Sequence, residues 1–421
     1  MCSSDLSSST VAVRIGRSRR ACSGRSCQRI APVRWRHLGT KGDAGVKITA
    51  VRSITGGIPI PGGGFSPAWW PGQVIRDLWF TLCVIETDAG IVGFGPGGFR
   101  TGGWTGEAFI RKHLLGRDPR TLDIGALAEH PESLPMAKGN RPVALEFALW
   151  DLLGKACGQP VYRMLGGYTN SIKAYCSTGS VTDAGAHIDF AHDAIARGYR
   201  AIKLRMHRAT VDHDLAVVRA VRDAVGDRLE IMADANQAQN PYWTRADALR
   251  AARGLQELGA AWLEEPLAMH DAEGLAMVAG AVDMPIAGTE NEYGMPRYAE
   301  FLKRGALDIL QPDLEGCGGL LEWRKIAAVC DAYRVPCLGH VWNNGLVVMV
   351  ALHASCSVPN APYLEVTDDP FWPARERDLI LAEPIRVVDG MVQVPSGPGW
   401  GVDLDWDAVR AHTTSEAVVR L

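Results

Sequence analysis

A chain of 421 residues with 44 lysines and arginines against 47 aspartates and glutamates has a formal net charge of −3, which offers no global attraction to nucleic acid or to an anionic membrane surface. Its 47% apolar and 22% charged residues are those of an ordinary globular protein and exclude wholesale disorder or a fibrous design. No apolar run approaches the roughly 20 residues that span a bilayer, and the length predicts one large domain beside a smaller one.

In chain order, the first 45 residues stand apart. Arg14, Arg17, Arg19, Arg20, Arg25, Arg29, Arg34 and Arg36 lie among serines, and Asp5 and Asp43 are the acids before Val46. The segment reads as a disordered or mis-assigned leader, with an organellar transit peptide as the alternative, since it has neither an amphipathic helix nor the apolar core of a secretory signal. The ten cysteines show no CxxC pairing and read as buried free thiols.

From Val46 the pattern is structured. VKITAVRSI alternates as a strand, a Gly/Pro-rich stretch follows, and LWFTLCVIETDAG resumes strand character, so a hairpin with a long tip is predicted. The tip, GGIPIPGGGFSPAWWPG, carries no charge but holds Phe65, Trp69 and Trp70; it either closes over a pocket or simply connects two strands. PVALEFALWDLLGKACG has helical periodicity and a glycine stop at Gly158.

Over 172–365 a short apolar run ending in polar residues alternates with a helical stretch, at roughly 25 to 30 residues per period, the length of a βα unit. AYCSTG, AIKLR, LEIMADAN, AWLEEP, MPIAGTE, DILQPD, VPCLGH and PYLE are the candidate strands, enough to close a parallel α/β barrel of (β/α)8 type. The helix HDLAVVRAVRDAVG sets Leu215, Val218, Val221 and Val225 on one face and stops at Gly226.

In such a barrel, functional groups belong at the C-terminal ends of the strands. Asp234 and Asn236 end the third strand, Glu264 and Glu265 the fourth, Glu290 the fifth, Asp313 the sixth, His340 the seventh and Glu365 the eighth. Lys203 and Arg205, two apart on the second strand, point to one side of the sheet. Three converging carboxylates, Asp234, Glu264 and Glu290, repel one another unless a cation sits among them, and oxygen-only ligation with positions left open selects Mg2+. A substrate carboxylate held there would have its alpha proton acidified. His340 is the candidate acid/base, Asp313 the group that orients its imidazole, and Glu365, if it stays protonated, a hydrogen-bond donor to the developing enediolate.

The ordered set KLR, MADAN, WLEEP, AGTEN, QPD, LGH and YLE resembles the enolase superfamily, and within it the mandelate racemase/muconate lactonizing subgroup. The resemblance implies a modified (β/α)8-type barrel over 169–370. A capping domain would be formed by 46–168 and a C-terminal segment, 371–421, that returns to it. It further implies one Mg2+ per subunit, for which Mn2+ substitutes, on Asp234, Glu264 and Glu290. Asp313 and His340 would form the dyad, Glu365 the electrophilic partner, and Lys203 a contact to the substrate carboxylate. The hairpin tip around Trp69 and Trp70 would cover the site and select substrates together with Asn236 and the loop residues Trp342, Asn343 and Asn344.

The family further implies a cytoplasmic homo-oligomer, a dimer or octamer, whose partner is a small carboxylate and neither nucleic acid nor membrane. One position departs from the racemase pattern: Arg205 stands where a second lysine base would be, and a guanidinium is a poor base. Dehydration of a sugar acid to its 2-keto-3-deoxy product, needing His340 alone, is therefore the leading expectation. Sugar-lactone cycloisomerisation or hydroxy-acid epimerisation is the alternative, with His207 as a possible second acid/base. A binding protein without catalysis would have no need of the full constellation.

Overall fold

The computed structural model describes residues 45–97, 106–129, 142–238 and 241–421. Residues 1–44 of the arginine-rich leader lie outside them. The predicted hairpin consists of β1 (Ile48–Pro59) and β2 (Asp77–Thr87), paired antiparallel from Ile48↔Thr87 to Pro59↔Asp77, and β3 (Val92–Gly97) adds to the far side of β2. The helix Val143–Cys157 packs on this sheet and ends, as its sequence predicts, at Gly158 in the left-handed conformation. Close approach explains the glycines of β3: a Cβ on Gly95 would lie 2.2 Å from the Ala144 carbonyl oxygen.

The repeat region forms a curled parallel sheet: β4 (Ser171–Ser177), β5 (Ala201–Arg205), β6 (Glu230–Asp234), β7 (Leu263–Glu264), β8 (Ile286–Gly288), β9 (Ile309–Leu310) and β10 (Tyr363–Thr367), with β10 beside β4. VPCLGH differs from expectation. It makes only single parallel bridges to the β9 side, Leu310↔Cys337 and Asp313↔His340. On the β9 side the Leu310 N–H bonds to the Pro336 carbonyl, and the Leu338 and His340 N–H groups to the Leu310 and Pro312 carbonyls; on the other side the Cys337 N–H goes to the Asn360 carbonyl, ahead of β10. The segment nevertheless occupies the seventh position and delivers His340. The architecture is α/β, a modified (β/α)8-type barrel accompanied by the antiparallel sheet.

Helices fill the crossovers. In Val211–Val225, capped by the Thr210 hydroxyl, Val218, Val221 and Val225 are buried, Leu215 is partly so, and Gly226 follows. After the barrel, β11 (Met391–Gln393) pairs antiparallel with the start of β4, and β12 (Thr413–Arg420) completes the first sheet against β1. Among the described residues no helix is long and apolar enough to cross a membrane.

Asp151 joins three parts of the chain. Its carboxylate accepts the N–H groups of Phe94 and Trp400, at 2.9 and 2.8 Å, and pairs with Lys155 at 2.6 Å, with both side chains almost fully buried. Asp151→Ala removes the anion beside a buried ammonium and orphans two buried N–H groups, so a loss of about 3–5 kcal/mol is expected in urea unfolding. A loss below about 1 kcal/mol would show that water replaces the carboxylate.

Candidate functional site

Barrel periodicity builds the site. Tyr175, Ala201, Met232, Trp262, Ala287, Ile309 and Leu338, one from each of seven barrel positions, form a separate buried cluster that plugs the interior. Two residues further along, where the side chain again points inward, stand Ser177, Lys203, Asp234, Glu264, Thr289, Gln311 and His340; Glu365 follows the partly buried Tyr363 in the same way. An apolar floor thus carries a polar layer directly above it.

Glu290 is one residue out of step. Thr289, with φ 94°, bends the backbone after β8, and Asn236 (φ 45°) and Glu265 (φ 46°) occupy the left-handed region after β6 and β7. Five non-glycine residues have positive φ among those described, and these three lie at neighbouring strand ends, where strain re-aims side chains for a site.

Asp234, Glu264 and Glu290 each present a carboxylate oxygen within 4.8 Å of the others, and all three are buried. The donor set is oxygen-only and anionic, which fits a hard divalent ion. Lys203 lies against this cluster, with Nζ 2.9 Å from each Glu264 oxygen, 2.9 Å from Glu365 and 3.5 Å from Asp234. Burial lowers the Lys203 pKa, but Glu264 and Glu365 outweigh it and hold the ammonium well above its ordinary value. Burial and then Asp234 push Glu264 up to about 7, against the pull of Lys203. Gln311 Nε2 donates to Glu264 at 2.8 Å.

On the opposite side, His340 Nδ1 is 2.8 Å from Asp313 and Nε2 is 2.9 Å from Glu290. Asp313 is held in turn by the N–H groups of Glu315 and Gly316. Burial lowers the His340 pKa, yet Glu290, Glu365 and Asp313 together raise it well above that of a free imidazole, so this arrangement favours the imidazolium and not a group titrating near neutrality.

Glu365 also departs from expectation. It accepts from Ser177 Oγ at 2.7 Å, from the Val341 N–H at 2.8 Å and from Lys203. Burial would raise its pKa, but Lys203, His340 and these donors bring it down to about 2. These donors favour the carboxylate in this arrangement. Glu265 is the contrasting case: its oxygens have no hydrogen-bond partner, and burial and Glu290 raise its pKa well above the ordinary value.

Arg205 is buried and donates to Asp234, to the Thr178 carbonyl at 2.6 Å and to Asn236 at 3.2 Å. Its guanidinium lies 5.0 Å from the Trp69 ring and 5.1 Å from that of Trp342. Burial lowers its pKa and Asp234 more than restores it, so it stays cationic. His207 hydrogen-bonds Asn236 at 3.1 Å and does not line the cavity.

The hairpin tip covers the site. The Ala68 N–H bonds to the Gly179 carbonyl, and Phe65 and Trp69 pack on Trp342, with Trp372 against Phe65 and Trp342. Beneath lies a cavity of about 390 Å³ reaching Arg205, Asn236, Glu290, Asp313 and His340. Trp69, Trp70, Trp342 and Asn343 line it, whereas Asn344 is the buried cap of the helix Gly345–Ser355. Ser177, Gln311, Trp79 and Trp372 were not singled out from sequence. The first two carry a signal in the two-residue step above the floor; the tryptophans reach the cavity only through tertiary folding.

Residues 186–408 match the family model of the enolase C-terminal domain-like fold, and 75–166 match that of the mandelate racemase/muconate lactonizing enzyme N-terminal domain. The chain is 33% identical to D-galactarolactone cycloisomerase of Agrobacterium fabrum over 78% of its own length and 89% of that protein's. It is 29% identical to D-xylonate dehydratase of Haloferax volcanii over 79% of its length and 84% of the relative. L-Talarate dehydratase from a Polaromonas species, solved with Mg and L-glucarate, superposes with a TM-score of 0.74 at 28% identity, covering 89% of this chain and 99% of that one.

Proposed function

The chain belongs to the mandelate racemase/muconate lactonizing enzyme family of the enolase superfamily, and on that premise we propose that it removes the proton alpha to a carboxylate, most naturally in dehydrating a sugar acid to a 2-keto-3-deoxy acid. The observation that carries this reading is the meeting of two groups in one buried layer: three carboxylates within 4.8 Å, and an imidazole 2.8 Å from an orienting aspartate. Asp234, Glu264 and Glu290 would hold Mg2+, which when bound supplies positive charge that acidifies the alpha carbon and offsets the Glu290 charge on His340.

The chain's own groups do the rest. His340, freed of its proton, takes the alpha proton at Nε2 while Asp313 fixes the tautomer through Nδ1. As imidazolium it then protonates a departing beta hydroxyl. Lys203 neutralises charge developing on the substrate carboxylate, and the tip excludes water. Arg205, cationic and committed to Asp234, supplies no second base, which supports one-sided chemistry.

Incubation with Mg2+ and a panel of aldonic acids, read by semicarbazide absorbance, is expected to give a keto-acid chromophore. Alpha exchange in D2O without chromophore would replace dehydration by isomerisation, the reading favoured by the 33% identity to a lactone cycloisomerase. Absence of both signals across the panel would count against proton abstraction.

A further inference from the structure

Asp369, two residues beyond β10, does not line the cavity, yet it braces the walls that do. The residue is 1% exposed. Its Oδ2 accepts the Gly179 and Ser180 N–H groups at 2.8 and 2.9 Å and the Ser180 hydroxyl at 2.7 Å, while Oδ1 accepts the Phe371 N–H at 2.8 Å. All these donors are neutral. Burying a carboxylate without a countercharge is costly, and only converging N–H and O–H groups offset it, so the arrangement fixes the segments that supply them.

Both segments carry parts of the site. The loop after β4 presents the Gly179 carbonyl, which takes the Ala68 N–H of the tip at 2.9 Å, and the Thr178 carbonyl, which takes Arg205 Nε at 2.6 Å. Gly179 also lets the aromatic cover close, since a Cβ there would lie 2.4 Å from the Trp342 ring and 2.6 Å from that of Phe65. The loop after β10 is a tight turn in which the Trp372 N–H bonds to the Asp369 carbonyl at 3.0 Å and the Asp369 N–H to the Trp372 carbonyl at 3.2 Å. That turn sets the Trp372 ring against Phe65 and Trp342.

We infer that Asp369 is a positioning residue: its carboxylate clamps the loops after β4 and β10 into the platform on which the hairpin tip docks, and so keeps the cavity covered during turnover. The effect on turnover rests on the function proposed above, whereas the effect on docking does not.

The test is hydrogen exchange at the Ala68 amide, read by mass spectrometry with peptide fragmentation, in the full chain carrying Asp369→Asn or Ser180→Ala. Asparagine keeps the shape but turns an NH2 group toward donors; Ser180→Ala deletes only the hydroxyl that binds Oδ2. Exchange at Ala68 is expected to accelerate about tenfold or more in Asp369→Asn and about threefold in Ser180→Ala, while amides of the β1–β2 ladder exchange as in the wild type. Gly179→Ala, which forces Trp342 and Phe65 apart with the clamp intact, supplies the signal of an undocked tip. With the tip undocked, kcat for the aldonic acid that yields the keto-acid chromophore should fall about tenfold.

Unchanged Ala68 exchange in Asp369→Asn overturns the inference; if that variant does not fold, unchanged exchange in Ser180→Ala does so. Acceleration that reaches the β1–β2 ladder equally overturns it too, because the carboxylate then only stabilises the fold. Faster Ala68 exchange with kcat unchanged sinks the link to turnover and leaves the clamp. A wild type that yields neither chromophore nor alpha exchange sinks the proposed function, and the Ala68 amide still decides the clamp.

Discussion

His340→Asn is expected to reduce turnover and alpha-proton exchange on the order of 10³-fold or more, with Mg2+ binding and folding retained. Asparagine keeps an amide near the Nδ1 position, where it can still donate to Asp313, but carries nothing at Nε2, which faces Glu290 at 2.9 Å. The variant therefore removes the proton carrier and leaves its orienting bond. Asp313→Asn is the milder counterpart, since it leaves the imidazole in place but weakens its orientation and basicity. The measurements are product formation, deuterium incorporation from D2O and the Mg2+-induced change in melting temperature. If His340→Asn keeps more than about a tenth of the wild-type rate, proton transfer runs through another group.

Much of this site was legible because a parallel barrel converts strand order into angular position and strand periodicity into depth. Lys203, Asp234 and Glu264 each lie two residues beyond an inward apolar residue, so the alternation alone set them at one level. Glu290 required the recurrence of acids at strand ends, because the bend at Thr289 breaks the step. Protonation was not legible. Whether Glu365 is a carboxyl or a carboxylate depends on Lys203, Ser177 and the Val341 N–H, which come from three separate segments. The seventh barrel position is an irregular strand: VPCLGH bonds to the β9 side at Pro336, Leu338 and His340, but on its other side the Cys337 N–H meets the Asn360 carbonyl, outside β10. From sequence the hairpin tip reads equally as lid or connector, because its role depends on where Gly179 and Trp342 stand, and no spacing within the tip encodes that.

Glu290→Gln is expected to abolish detectable turnover and remove the Mg2+-dependent rise in melting temperature. In the wild type, Mg2+ at 100 times its Kd would stabilise the fold by about 2.7 kcal/mol, a shift of several degrees for a chain of this size. Glutamine keeps the size and one oxygen but takes away a full negative charge, and a hard cation held by three carboxylates depends on that charge. The choice of Glu290 over its partners is deliberate. Asp234 is paired with Arg205 and Glu264 with Lys203, so substituting either leaves a buried cation without its anion and confounds metal loss with destabilisation. Glu290 faces His340, which can shed its proton once that anion is gone, so folding without metal is expected to stay within about 1 kcal/mol of the wild type. If Glu290→Gln retains the Mg2+-dependent shift, the cation does not sit among these three carboxylates. Lys203, Arg205 and His340 would then be the charges that hold the cluster together.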